Sequence, residues 1–292
     1  CWPMTEKATA AIEIPRGWIA RQVIHESTRL RLEYTGPVLG ATPYAIVAFA
    51  PVDFPFHSNQ GGWGTASFSK RLMPHVCVFH RDQDWHQHDE FFAAMQSCRK
   101  FFGPLPRLTS YGFSMGGYGA ILGAQGLNVA RAVAVSPQSS IDPAAVRFER
   151  RYHAQWAAMK GWVHGLNNHV DDLREYVVLY DPLHRQDSQH EIRLPKPAGY
   201  RRVLLHGAGH AGIQSIVEMG QAESLFALLR GDITPAQLRQ AYRKNRVGAF
   251  RYQRKVGTIL HDRRKPAARM FFDMAHHNGF HRLIKKWTPY YK

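Results

Sequence analysis

Apolar residues along the chain fall into short runs separated by polar stretches of helical length. Tyr44 to Ala50 (YAIVAFA), Val76 to Phe79, Leu108 to Tyr111, Val129 to Val135, Tyr176 to Tyr180 and Val203 to Leu205 are nearly continuous apolar runs. That is the pattern of strands buried on both faces of a parallel sheet. Upstream, Ala11 to Ile14, Trp18 to Ile24 and Leu30 to Tyr34 are rich in β-branched and bulky residues and are broken by Pro15, Gly17 and polar residues, which predicts an antiparallel start to the same sheet. His88 to Phe102, Met115 to Gln125, Asp187 to Leu194 and Gly212 to Leu229 can be helical. The alternation predicts an α/β fold, a mostly parallel sheet with helices on both faces.

Two segments depart from this rhythm. Residues 143–174 carry Phe148, Tyr152, Trp156, Trp162 and Val163 among many charges, which predicts a helical insertion, either a lid over a site or a plain surface excursion. Beyond Leu229 the pattern is all-helical: Thr234-Pro235 reads as a helix start, Pro266 as another, and Asn278-Gly279 as a stop. Phe250, Phe271, Phe272 and Trp287 would form the buried stripe of these helices. The expected organisation is an α/β domain over residues 1–231 with its insertion at 143–174, followed by a small helical extension over 232–292.

Composition changes this picture mainly through charge. The 292 residues, 45% hydrophobic and 12% aromatic, suit one sizeable core with an appendage and exclude a disordered chain or a fibre. The net charge is +16, and residues 233–292 hold fifteen Lys and Arg against only Asp262 and Asp273. The body is therefore nearly neutral, and an anionic partner is expected for the tail rather than for the catalytic chemistry. Its basic pairs, such as Arg243-Lys244, Arg254-Lys255 and Lys285-Lys286, alternate with Tyr242, Tyr252 and Trp287. Nucleic acid, acidic headgroups or an acidic glycan fit that pattern, and so does a simple charged outer face. Three widely spaced cysteines, Cys1, Cys77 and Cys98, form neither a disulfide framework nor a zinc motif. With no apolar run of membrane-spanning length and no signal pattern, the expectation is a cytoplasmic protein without a transmembrane segment.

The chemistry-bearing motif is Gly112-Phe113-Ser114-Met115-Gly116, directly after an apolar strand and directly before a helical stretch. A serine on so sharp a strand-to-helix turn needs neighbours two residues either side with almost no side chain. With Gly117 and Gly119 following, the run GFSMGGYGA resembles the nucleophile elbow of the α/β-hydrolase superfamily, close to its esterase-like and acyl-transferring members. The resemblance covers about Tyr44 to Leu229. It implies a serine nucleophile at Ser114, followed in chain order by an acid and a histidine.

A hydroxyl needs a base and the base needs an orienting carboxylate. His210, in the loop Gly207-Ala208-Gly209-His210-Ala211-Gly212 after an apolar strand, is the expected histidine, ahead of His206 at the strand's end. Asp181 directly follows the strand Tyr176 to Tyr180 and is the expected acid; Asp187, six residues on, is the alternative, and beside Ser188 it could equally cap a helix. The backbone N–H of Met115 should serve the oxyanion, with a second donor from Val52 or Ala50, because Pro51 has no N–H. The segment His80 to Asp89 is dense in metal-ligand types but matches no zinc spacing, so Trp85 or His86 would sooner touch substrate, and a plain solvated loop is expected ahead of either. The expected activity is a serine hydrolase of a small-molecule or glycan acyl ester, with no cofactor and no metal. Acyl transfer by the same residues is the alternative, and a non-catalytic scaffold whose tail binds an anion is the rival of another class.

Overall fold

The computed structural model describes residues 16–38, 43–54, 56, 61–103, 107–167, 170–171 and 173–291; the predicted stretch Ala11 to Ile14 and Cys1 lie outside them. Eight strands form one sheet: Trp18–Glu26 (β1), Leu30–Pro37 (β2), Tyr44–Phe49 (β3), His75–His80 (β4), Arg107–Phe113 (β5), Arg131–Val135 (β6), Glu175–Tyr180 (β7) and Tyr200–Leu204 (β8). Their spatial order is β1-β2-β4-β3-β5-β6-β7-β8. β2 runs antiparallel to both β1 and β4, whereas β4, β3, β5, β6, β7 and β8 are mutually parallel.

The continuous apolar runs are explained by burial on both faces. Val47, Phe49, Ala132, Ala134, Tyr176 and Val178 point into one core layer, while their neighbours Ile46, Ala48, Val133, Val135, Val177 and Leu179 point into the other. The first layer is covered by the helix Glu90–Phe102, through Phe91, Met95, Cys98 and Phe102. The second is covered by the helices Gly212–Glu218 and Ala222–Arg230, through Ile216, Leu225 and Leu229. Cys77 and Cys98 are buried and unpaired, and burial pushes the Cys77 thiol up to about 12. No helix among the described residues is long and apolar enough to cross a membrane.

The tail begins as its sequence predicts. Thr234 caps the helix Pro235–Asn245, accepting from the Gln237 N–H while Gln237 answers the Thr234 N–H, a reciprocal box that satisfies two otherwise free donors. Leu238 and Tyr242 of this helix join the core layer of the sheet, and the Tyr242 hydroxyl donates to the His206 carbonyl at 2.9 Å. The rest of the tail gathers a core of its own from Tyr252, Phe271, Leu283 and Trp287. Trp287 is fully buried and stacks on His261 with ring centres 4.5 Å apart. Trp287→Ala should cost this small core about 3–5 kcal/mol. Limited proteolysis of that variant is expected to cut first within residues 246–291 and to leave the sheet intact.

Candidate active site

Ser114 sits between the end of β5 and the helix Met115–Leu122, with φ 57° and ψ −120°. A non-glycine residue in that region is strained by about 1–3 kcal/mol. Its amide is fixed by the Val135 carbonyl at 2.9 Å, and the following helix packs hard against neighbouring backbone. A Cβ added at Gly112 would fall 2.0 Å from the Gly116 carbonyl oxygen, and one at Gly116 would fall 2.1 Å from that of Phe49. The glycine spacing read in the sequence is thus a requirement for backbone contact on both sides of the serine.

Ser114 and His210 meet. Ser114 Oγ lies 3.0 Å from His210 Nε2, although the two are 96 residues apart in sequence. Beyond His210, the Nδ1 is 2.9 and 3.0 Å from the two carboxylate oxygens of Asp187. The carboxylate at the histidine is therefore Asp187, and the expectation for Asp181 is corrected on geometry. Asp181 is fully buried, with its oxygens occupied by the N–H groups of Leu183 at 2.9 Å, Gly207 at 3.1 Å and Gly209 at 2.8 Å. It fastens the histidine loop to the end of β7 through the backbone. Asp187 lies in the first turn of the helix Arg185–Ile192, whose cap is His184.

The parallel strands with an antiparallel β2, a strained serine after β5, and an acid and a histidine after β7 and β8 decide the architecture. The chain has the α/β-hydrolase fold. No protein-family model and no curated protein matches the sequence. The structure is similar to a hyperthermophilic esterase from the archaeon Pyrobaculum calidifontis, 15% identical, covering 70% of this chain and 80% of that one, with a TM-score of 0.44. It is similar to the capsule O-acetyltransferase of Neisseria meningitidis serogroup A, 11% identical, covering 70% of this chain and 93% of that one, with a TM-score of 0.48. It is also similar to a glycosylation associate protein (Gap123) complex from Streptococcus agalactiae, 16% identical, covering 74% of this chain and 47% of that one, with a TM-score of 0.51. At these identities the likeness concerns the α/β-hydrolase fold alone.

Loops of the fold bring residues to Ser114 that the motif did not announce. Tyr152, from the 143–174 insertion, brings its hydroxyl to 3.2 Å from Ser114 Oγ. Gln138, in the loop after β6, brings its Nε2 to 3.2 Å from the same oxygen and accepts from Trp85 Nε1 at 3.2 Å. Trp85 packs edge-on against Tyr152 at 4.8 Å. His86, by contrast, is buried among Phe49, Phe91 and His80 rather than facing the serine. Gln87 joins the insertion to the sheet, accepting from the N–H groups of Val163 at 2.8 Å and His164 at 2.7 Å while donating to the Tyr118 hydroxyl. Among its described residues the insertion holds one short helix, His153–Ala158, and it is held to the body by these polar contacts, by aromatic packing and by Leu166, Val170 and Leu173, which are buried in the core. Ser114 is only 1% exposed beneath it. Aromatic residues spaced through a charged segment were the available signal for Tyr152; nothing in the sequence pointed to Gln138.

A second chain of contacts runs from the insertion to Asp187. Arg151 pairs with Glu149 at 2.6 Å and approaches Asp187 at 3.5 Å. Glu149 also accepts from His190 Nε2 at 2.9 Å, and His190 Nδ1 faces the N–H and hydroxyl of Ser139 at 3.2 and 3.1 Å. Burial works to raise the Asp187 carboxyl, but the His210 and His184 imidazoles override it and hold it well below the usual carboxylate range. Burial likewise opposes ionisation of Glu149, yet its bonds to His190 and Arg151 bring it down to about 2.

The two oxyanion candidates differ in setting. Met115 opens the helix after Ser114, so its N–H has no partner within that helix. Val52 follows β3, two residues past Ala50, whose carbonyl abuts Gly116. His184, Asp187 and His210 also place one metal-ligand atom each within 4.8 Å of one another. A cation held there would compete with the proton on His210 Nδ1.

Two outcomes follow. Gly116→Ala should lower stability by about 1–3 kcal/mol in urea unfolding, because the added methyl meets backbone that cannot swing aside. The low carboxyl of Glu149 contributes stability that is fully present above its ordinary value of 4.5 and is lost as pH falls toward about 2. Stability of Glu149→Gln measured across that range should fall less steeply than that of the unaltered protein.

Proposed function

We propose that this protein is a serine esterase, cleaving an acyl ester through an acyl-serine intermediate with Ser114 as nucleophile, His210 as base and Asp187 as the orienting acid. The observation that carries the reading is the unbroken line from Ser114 Oγ to His210 Nε2 at 3.0 Å and from His210 Nδ1 to Asp187 at 2.9 Å. Asp187, ionised at neutral pH, holds the proton on Nδ1 and leaves Nε2 free to accept from the serine.

In the first half-reaction Ser114 Oγ bonds to the acyl carbon as its proton passes to His210 Nε2. The carbonyl oxygen takes the electron pair and is met by backbone N–H donors, Met115 with Val52 as the second candidate. The carbonyl re-forms, the bond to the leaving alcohol breaks, and that alcohol takes the proton from His210. A water then gives a proton to His210 and attacks the acyl carbon; the bond to Ser114 Oγ breaks, His210 returns the proton to Oγ, and the acid leaves. The Tyr152 hydroxyl, 3.2 Å from Ser114 Oγ, is placed to hold the substrate against the nucleophile. None of these steps calls for a cofactor.

One observation favours a second reading, transfer of the acyl group to an alcohol or sugar. Ser114 is 1% exposed and is covered by Tyr152 and Trp85, an enclosure that keeps water from an acyl-enzyme. The scaffold reading loses support, since an acid does reach His210.

A fluorophosphonate probe should label the unaltered protein and leave Ser114→Ala unlabelled; a well-folded protein that takes no label, or a variant that still does, would contradict the proposal. Adding a sugar acceptor to an ester assay should leave the acid as the main product if hydrolysis is the activity, whereas an acylated sugar in excess over the acid would select transfer.

A further inference from the structure

The helix Pro235–Asn245 and the residue after it place Arg239, Arg243 and Arg246 at intervals of four and three, on one face. All three line a single cavity of about 340 Å³ together with His206 from the end of β8. Several other arginines are paired with acids, as in Arg21–Glu33, Arg71–Glu223, Arg131–Glu175 and Arg251–Glu218. Arg239, Arg243 and Arg246 form no ion pair among the described residues. Three like charges stacked along one helix face repel one another; the buried Asp181 carboxylate acts on His206 against them.

Two buried nitrogens carry the same message. Arg246 Nε and His206 Nδ1 are both shut off from solvent without a hydrogen-bond partner among the described residues, a condition that folded proteins avoid. Burial, with Arg246 and Arg243 adding to it, lowers the His206 imidazole toward its neutral form, so the excess charge resides on the guanidiniums. The remaining wall is apolar. It consists of Leu183, Leu204, Tyr252 and Val256, with the Arg246 guanidinium 5.1 Å from the Tyr252 ring centre.

We infer that this cavity is a binding site for a phosphate monoester, in which Arg239, Arg243 and Arg246 grip the phosphoryl dianion while Tyr252 and the leucines receive a compact organic group such as a sugar ring. Guanidinium forks match phosphate oxygens in geometry and charge, and three of them favour a dianion over a single carboxylate. The cavity's size is that of a small-ligand site rather than a groove for a polymer strand. This assignment goes beyond the chemistry at Ser114 and stands without it. The site nonetheless borders that chemistry, because Leu183 precedes His184, which lies 3.1 Å from Asp187, and His206 opens the loop that ends at His210.

The test is titration calorimetry on the full chain at fixed ionic strength with glucose 6-phosphate, inorganic phosphate and glucose. Glucose 6-phosphate should bind and glucose should not. Replacing the exposed Arg239→Ala and Arg243→Ala together should weaken glucose 6-phosphate by about tenfold or more while fluorophosphonate labelling at Ser114 is retained. No binding of either phosphate, or equal binding by the double variant, would overturn the site. Inorganic phosphate binding as tightly as the sugar phosphate would overturn the role given to the apolar wall. The readout is binding rather than turnover, so a protein that fails to label at Ser114 but binds glucose 6-phosphate would separate the failure of the esterase reading from this one.

Discussion

The structure depends on one backbone constraint, the left-handed turn that lifts Ser114 off the end of β5. A φ of 57° at a serine persists only when its surroundings allow no alternative. Here the helix that follows the turn runs so close to β3 that Gly116 touches the Phe49 and Ala50 carbonyls. The amide of Ser114 is held by Val135, in the neighbouring strand β6. Those contacts fix where Oγ points, and the loops after β6, β7 and β8 then have a common target.

Around that point the protein divides its carboxylates between two tasks. Asp181 accepts three backbone N–H groups and shapes the histidine loop, while Asp187 faces the imidazole itself. Arg151 ties Asp187 to Glu149 and so to the insertion that also carries Tyr152 over the serine. Removing one member from a buried ionic network leaves the others uncompensated, so the insertion and the contact between Asp187 and His210 are linked. A change in how the insertion sits would be felt at both Oγ and Asp187.

Much of this was legible in the sequence. Runs buried on both faces announce parallel strands by their lack of alternation, and six of the observed strands overlap such runs from Tyr44 onward, the last, β8, only at Val203 and Leu204. The tight turn at Ser114 was legible because Gly112 and Gly116 answer a steric demand that few other residues meet. Which carboxylate meets His210 was not legible, because Asp181 and Asp187 both follow β7 and only three-dimensional direction separates a carboxylate aimed at amides from one aimed at an imidazole. Gln138 and the Glu149–His190 pair were invisible for the same reason, since their partners lie 24 and 41 residues away. The tail's charge was plain, but composition alone could not tell an evenly charged surface from three arginines converging on one cavity.

The most direct test of the account is the hydrogen bond between His210 and Asp187. A proton NMR spectrum of the unaltered protein should contain a strongly deshielded resonance from the proton on His210 Nδ1. This resonance should disappear in His210→Gln and in Asp187→Asn, with the fold intact. A resonance that survives Asp187→Asn unchanged would contradict the account, because the histidine would then be oriented by some other group.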